Sequence, residues 1–398
     1  MDQKAMNKLA AGEPDWDDHG LPKPFSSDEI SGEANPIASS LADRLFKKHG
    51  KGSVEHGRGV RLTIPGVIPT GCLPLDAAIG RGGIPLGRWT ILTGDEGTGK
   101  TTLSVQIAAA CQRMGGVVFY QDTENKLDLQ YAAHLGLNLN DVVVGHPQHV
   151  EESFEMTAEA VELIREVNLK SDVMIPGVVI LDSLNTTIST IEYDAEFTDK
   201  PRPGGHAAAV SRAIAKLNQR IGAAPIAIIL VSQIRNLIKT TPYGPSTNEI
   251  SGGRAGGFIA SLVIRLIRMG TLKKNERPYG QEVKAIIRKS QISVPFGEAV
   301  FHLIWGEGTD PVQGLLSVAA ARGIVNIGTG RWFELPDVDG KTVKWQGELG
   351  FLKAEEKNPG LRKVIEGRLS EKQQVGKPIS TRKSTIVDEG EEDPRDGE

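Results

Sequence analysis

At 398 residues, with 39% hydrophobic and 24% charged, the chain has the length and make-up of two or three globular domains. Its 46 Lys and Arg against 50 Asp and Glu leave a net charge of −4, which excludes a globally basic surface and confines any nucleic-acid contact to a local patch. The two cysteines, Cys72 and Cys111, lack metal or redox spacing and argue against a disulfide scaffold or a structural zinc. No apolar run reaches the roughly 18 residues of a membrane span, and the first residues lack the apolar stretch of a signal peptide. The expectation is a reduced, cytoplasmic protein without a membrane partner.

Residues 1–35 are polar and rich in Pro, Gly, Asp and Ser, the composition of a disordered extension. Ile37, Leu41, Leu45 and Phe46 then recur at helical spacing and Gly50 supplies a stop, so 36–58 reads as a short amphipathic arm. It either packs on its own domain or docks on a neighbouring subunit. From 59 to 310 strands and helices alternate. Apolar runs at Trp89–Leu92, Val117–Tyr120, Val178–Leu181 and Ile226–Val231 read as buried parallel strands. The stretches Thr101–Met114, Glu151–Glu166 and Ala207–Ile221 read as helices between them. The fold class is α/β, a mostly parallel sheet with helices on both faces. Three later runs, Leu262–Ile267, Val283–Ile287 and Ala299–Trp305, are expected to extend the sheet as antiparallel strands. Residues 311–371 read as a small α+β C-terminal domain. It holds a helix at Gly314–Arg322, aromatic text around the turn Asp337–Lys341, and helix from Leu349 to Gly367 broken at Asn358-Pro359-Gly360. The segment 372–398 reads as an acidic, disordered tail.

One motif is specific. Gly94-Asp95-Glu96-Gly97-Thr98-Gly99-Lys100-Thr101, followed by Thr102, matches G-x-x-x-x-G-K-[ST] between a strand and a helix. Such glycines let backbone N–H groups curl around phosphates, and the helix N-terminus favours the anion. Lys100 is expected to reach the β- and γ-phosphates and Thr101 to hold Mg²⁺. The apolar run Val178–Leu181 stops at Asp182, the usual way of placing a carboxylate near that metal. The strand Val117–Tyr120 leads to Gln121-Asp122-Thr123-Glu124 on the same sheet edge. Glu124 is the leading candidate to activate water and Asp122 the second; a solvated helix cap is the bland alternative.

In order and spacing these residues resemble the RecA-type homologous recombinases, cellular or phage-encoded. The resemblance runs from about Asn35 to Lys372. It rests on Lys51-Gly52-Ser53, Ile68-Pro69-Thr70-Gly71, Leu75-Asp76, Gly80–Pro85, the phosphate loop, Asp128 with Tyr131, Asp182-Ser183, Ser232-Gln233-Ile234-Arg235, Ser251-Gly252-Gly253 and Pro295-Phe296. It implies a RecA-like P-loop core binding ATP and Mg²⁺. It also implies a DNA-dependent ATPase that forms a homo-oligomeric helical filament on single-stranded DNA and pairs it with double-stranded DNA in recombination and repair. Glu124 falls at the water-activating position, Asp128 and Tyr131 at the nucleotide base, and Gln233 where a glutamine senses the γ-phosphate. Two loops, 192–205 and 236–257, match the DNA-binding loops. They offer Arg202 with Lys200, then Ser211 on the next helix, and Arg235, Ile238, Lys239, Tyr243, Ser251, Gly252, Gly253 and Arg254. The text from Arg235 to Arg254 is rich in Pro and Gly and reads as loop.

The chain departs from the family where two lysines, spaced K-x-K, reach the neighbour's γ-phosphate. Lys289 matches the first and Gln291 replaces the second. Drawn as a strand, 289 and 291 share a face, which would leave Arg288 on the other. Two alternatives stand beside the recombinase: a ring helicase on the same core, and a weakly catalytic paralogue that regulates another recombinase.

Overall fold

The computed structural model describes residues 36–49, 64–183, 187–196, 205–221, 224–236, 248–250, 259–338 and 340–372. The expected N-terminal extension and acidic tail lie outside these residues. The first helix, α1 (Pro36–His49), falls in a unit that ends at Leu62. Lys47, Lys48 and His49 occupy its last turn, where cations complement the helix dipole. Ile37, Leu41 and Phe46 are exposed along it.

The second unit opens with β1 (Val67–Ile68), α2 (Leu73–Ile79) and β2 (Ile84–Pro85), the two strands pairing antiparallel. Gly80 ends α2 at φ 76°, a left-handed cap that glycine adopts without strain. The alternating part follows as β3 (Trp89–Gly94), α3 (Lys100–Arg113), β4 (Val117–Asp122), α4 (Leu129–His134), β5 (Val142–Gly145), α5 (Val150–Lys170), β6 (Gly177–Asp182), α6 (Thr190–Tyr193), α7 (Gly205–Ile221) and β7 (Ile226–Asn236). Then come β8 (Asn248–Ile250), β9 (Leu262–Lys274), β10 (Arg277–Ser290), β11 (Glu298–Ile304) and β12 (Gly308–Thr309). They form one sheet in the order β12-β11-β10-β9-β3-β7-β6-β4-β5, with β8 paired to the end of β7. The strands from β9 to β5 run parallel, and β10, β11 and β12 continue antiparallel.

Two expectations are corrected here. The first of the three added strands is parallel to its inner neighbour: Ile91 pairs with Val263 and Gly94 with Leu266. Only its outer partner β10 is antiparallel. The long segment between β7 and β9 supplies the crossover that a parallel strand needs. The region after Gln233 is not all loop. Ile234, Arg235 and Asn236 pair with Ile250, Glu249 and Asn248, so β7 runs past the sheet into a two-stranded ribbon. The reading from proline and glycine content missed the β-branched residues at its two ends.

Alternation along the strands fills both faces. Ala227, Ile229 and Val231 of β7 join Leu103 and Ile107 of α3 in one core, while Ile228 and Leu230 join Phe154 of α5 and Ile214 of α7 in the other. A third core gathers α8 (Pro311–Ala321), α9 (Gly347–Lys357), α10 (Leu361–Glu371) and the strands β14 (Trp332–Val338) and β15 (Lys341–Gln346) of a three-stranded sheet whose edge strand β13 (Asn326–Ile327) is exposed. Trp345 stacks on Phe333 at 6.0 Å between centroids and meets Phe351 edge-on at 5.4 Å. Ala77 of α2 joins this cluster, which ties it to the sheet.

The turn before α2 hangs on a buried carboxyl: Thr70 N–H donates to Asp76 Oδ1 at 2.9 Å. Burial raises the Asp76 pKa from 3.8 to about 7. The folded chain therefore holds this proton more tightly than the unfolded chain, and that stabilisation is lost as pH climbs between those values. The thermal midpoint is expected to fall from about pH 4 to about pH 7, and Asp76→Asn to flatten that fall, as differential scanning calorimetry across pH would read.

Candidate functional site

Parallel strands deliver their C-terminal ends to one edge. Gly94 of β3 lies beside Gln233 of β7, and Asp122 of β4 beside Asp182 of β6. The phosphate loop, the acid at the end of β6 and the candidate sensor thus meet without any reach across the fold.

The loop takes the form its glycines allow. Gly97 and Gly99 have φ of 72° and 90°, and Gly99 caps α3. A Cβ on Gly94 would stand 2.6 Å from Leu266 O and 2.8 Å from Thr98 Oγ1. Thr98 Oγ1 donates to Asp95 O at 2.8 Å and closes the turn. Lys100 Nζ donates to Gly94 O at 3.0 Å and Asp95 O at 2.8 Å, so the ammonium lies inside the loop. Burial lowers the Lys100 pKa, against the pull of Asp182, Asp95, Glu96 and Glu124. Glu96 stands exposed on the loop.

Thr101 Oγ1 donates to Asp182 Oδ2 at 2.8 Å. A hydroxyl that gives its proton to a carboxylate keeps its oxygen lone pairs for a cation. The donors are hard oxygens, as magnesium prefers, and the lysine and glycine loop suit a polyphosphate, so the residues present fit a magnesium nucleotide. Burial raises the Asp182 pKa, and the hydrogen bonds from Tyr120 and Thr101 oppose it.

Glu124 sits beyond β4. Ser183 Oγ donates to its Oε1 at 2.6 Å, and Lys126 Nζ donates to its Oε2 at 2.8 Å. Those bonds, the Lys126 one foremost, lower its pKa and keep it anionic. The ends of β4 and β6 are stitched together: Thr123 Oγ1 donates to Ser183 O at 2.7 Å and accepts from Ser183 N at 2.9 Å. Asp122 is committed to shaping the turn, its Oδ2 accepting from Leu127 N–H at 2.8 Å. Of the two acids, Asp122 is tied to the backbone, whereas Glu124 is bonded to side chains.

Asp128 caps α4, with Oδ1 accepting from Gln130 N at 2.9 Å and Tyr131 N at 3.0 Å. The Tyr131 hydroxyl lies 2.9 Å from Thr102 Oγ1, which joins both residues to the first turn of α3. Gln233 is half-buried at the edge.

Lys289 is elsewhere. It pairs with Val263, level with Ile91, whereas the loop begins level with Leu266. Along the strand direction it lies three residues, about 10 Å, behind the start of the phosphate loop of its own chain, with β9 between β10 and β3. Burial lowers its pKa. The expected shared face of 289 and 291 is corrected. β10 ends at Ser290, and a bulge between Ile287 and Lys289 leaves the exposed Arg288 without a partner strand residue. Gln291 lies beyond the strand, bonded to Ser261 through its backbone N–H at 2.8 Å and its Oε1 at 3.1 Å.

Ser211 lies on α7, and the backbone of Arg235 lies in the ribbon. Arg202, Lys200, Ile238, Lys239, Tyr243, Ser251, Gly252, Gly253 and Arg254 lie outside the described residues.

Four contributors escaped the sequence reading. Gln281 of β10, buried, donates to Gly97 O at 2.8 Å and braces the loop from the antiparallel wing. Leu303 of β11 lies against Gly99, where a Cβ would come within 2.5 Å of its Cδ1. Lys126 pairs with Glu124, and Tyr120 Oη donates to Asp182 Oδ2 at 2.7 Å. Period-2 alternation in β4, which puts Tyr120 on the face of Asp122, was the signal for the last.

A glycine-rich phosphate loop joining a parallel strand to a helix, with an acid ending the strand two places along the same sheet, defines a P-loop nucleotide-binding core. The RecA N-terminal domain model matches residues 37–310. The chain is 32% identical to the Protein RecA of Oleidesulfovibrio alaskensis over 357 residues, 90% of this chain and 96% of that one. It is 33% identical to the Protein RecA of Solidesulfovibrio magneticus and 31% to that of Bordetella petrii, each over 87% of this chain and 92% of the relative. The chain belongs to the RecA family of recombinases. Among the described residues no helix is long and apolar enough to cross a membrane.

The loop geometry separates two glycines. Gly94→Ala forces backbone against backbone and is expected to cost about 3 kcal/mol. Gly97→Ala meets nothing within 4 Å and carries only the strain of a left-handed φ, about 1 kcal/mol. Urea denaturation of the two variants measures the difference.

Proposed function

We propose that this protein is a DNA-dependent ATPase that polymerises on single-stranded DNA and exchanges it with a homologous duplex. The observation that carries the reading is the register of Gly94 with Gln233, on a strand that continues into the β7–β8 ribbon. A residue at the phosphate-loop edge thereby lies on the strand that leads into 236–257, the segment that resembles a DNA-binding loop.

In this reading the loop amides and Lys100 hold the β- and γ-phosphates of ATP, and Tyr131 and Asp128 meet the base. Thr101 and Asp182 hold Mg²⁺, which when bound offsets phosphate charge. Glu124 orients the attacking water and takes its proton. The γ-phosphate accepts a hydrogen bond from the Gln233 amide and loses it after hydrolysis, which switches the ribbon and its loop between two states. Lys289 serves a neighbouring subunit, since it lies at the wrong edge for its own loop. With Gln291 turned to Ser261, one trans cation replaces two, and hydrolysis is slowed. The exposed apolar stripe of α1 suits an arm that docks on the next subunit. Residues 59–310 form the ATPase core and 311–371 the C-terminal domain, in a protein of the cytoplasm.

ATP turnover across titrations of single- and double-stranded DNA tests the whole reading; closed hexameric rings in electron micrographs with ATP and single strands would overturn it. Lys100→Ala is expected to lower turnover by about 10²- to 10³-fold, since it removes the cation inside the loop. Gln233→Ala is expected to keep nucleotide affinity within about threefold yet erase the gain in DNA affinity on exchanging ADP for an ATP analogue, as fluorescence anisotropy reads.

A further inference from the structure

Tyr120 stands in an otherwise apolar core, next to Leu103, Val118 and Ile180, and is 1% exposed. A hydroxyl in such a place costs free energy unless it is bonded. Its Oη donates to Asp182 Oδ2 at 2.7 Å, the oxygen that also accepts from Thr101 Oγ1 at 2.8 Å. Ser104 Oγ lies 3.2 Å from the same Oη and 2.8 Å from Thr101 O, and its single proton serves one or the other as the hydroxyl rotates. Asp182 is therefore gripped from two sides, by the first turn of α3 and by the neighbouring strand β4. A phenylalanine at 120 would fill the same volume and release one of the two.

We propose that Tyr120 is a positioning residue for the divalent cation: its hydroxyl fixes the Asp182 carboxylate in the orientation that completes a cation site with Thr101. The inference rests on the reading of the site as a magnesium nucleotide centre, and it adds a residue that the phosphate-loop and strand-end motifs do not include. The geometry is specific to the tyrosine. Turning the Asp182 carboxylate breaks both bonds to Oδ2, so the side chain is held before any cation arrives. Groups that orient a metal-binding side chain in this way are typically worth about 10- to 100-fold in metal affinity.

Equilibrium binding of a fluorescent ADP analogue tests this without any turnover. It is measured for the full chain and for Tyr120→Phe, first in EDTA and then across a magnesium titration. The expected result is about a tenfold rise in half-saturating magnesium, with nucleotide affinity in EDTA unchanged. A magnesium requirement equal to that of the unaltered protein overturns the proposal. So does an equal loss of affinity with and without magnesium, which marks a packing role. If the unaltered protein binds nucleotide with no response to magnesium, the underlying site reading fails too, and the two failures are told apart by that control. Should Tyr120→Phe not fold, Ser104→Ala carries the same comparison, with about a threefold rise expected from the loosened hydroxyl.

Discussion

The structure depends on the parallel register of β3, β7, β6 and β4. Parallel strands share a direction, so whatever each places at its C-terminal end arrives at a common edge. Gly94, Gln233, Asp182 and Asp122 reach that edge with no long side chain bridging the gap. The two apolar faces of the sheet enforce the register. A slip of one residue would turn Ile228 and Leu230 from one core into the other and carry Asp182 away from Thr101.

Charge is the second constraint. Asp95, Glu96, Asp122, Glu124 and Asp182 crowd an edge where Lys100 and Lys126 supply the cations that act on them. The three at the ends of β4 and β6 each have a separate arrangement. Asp122 is bound to a backbone amide, Glu124 is held between Ser183 and Lys126, and Asp182 accepts from two hydroxyls. These bonds separate an acid that shapes the backbone from acids held by side chains, a distinction that residue type alone does not make.

Much of this was legible in the sequence because local rules govern it. The loop's glycines announce positive φ, and an apolar run ending in Asp182 announces a strand edge. What escaped depended on non-local pairing. Whether the strand from Leu262 runs parallel is decided by the route of its crossover, which composition does not encode. Lys289 and Gln291 look like neighbours on one face only if the strand continues, and it ends at Ser290, with Gln291 turning to Ser261. Tyr120 read as core because it is core; only the position of Asp182 on the adjacent strand gives its hydroxyl meaning. Asp128 shows the reverse case, since the bond it makes within the fold is an ordinary helix cap.

The bond from Gln281 to Gly97 has a mechanical consequence. It ties the antiparallel wing to the Gly97 peptide of the phosphate loop. Tension applied to β10 by an adjoining molecule would pull on that peptide along a strand, the stiffest path the fold possesses. The wing is then a tie-rod anchored on the phosphate loop, and a load taken up anywhere along β10 is felt at Gly97.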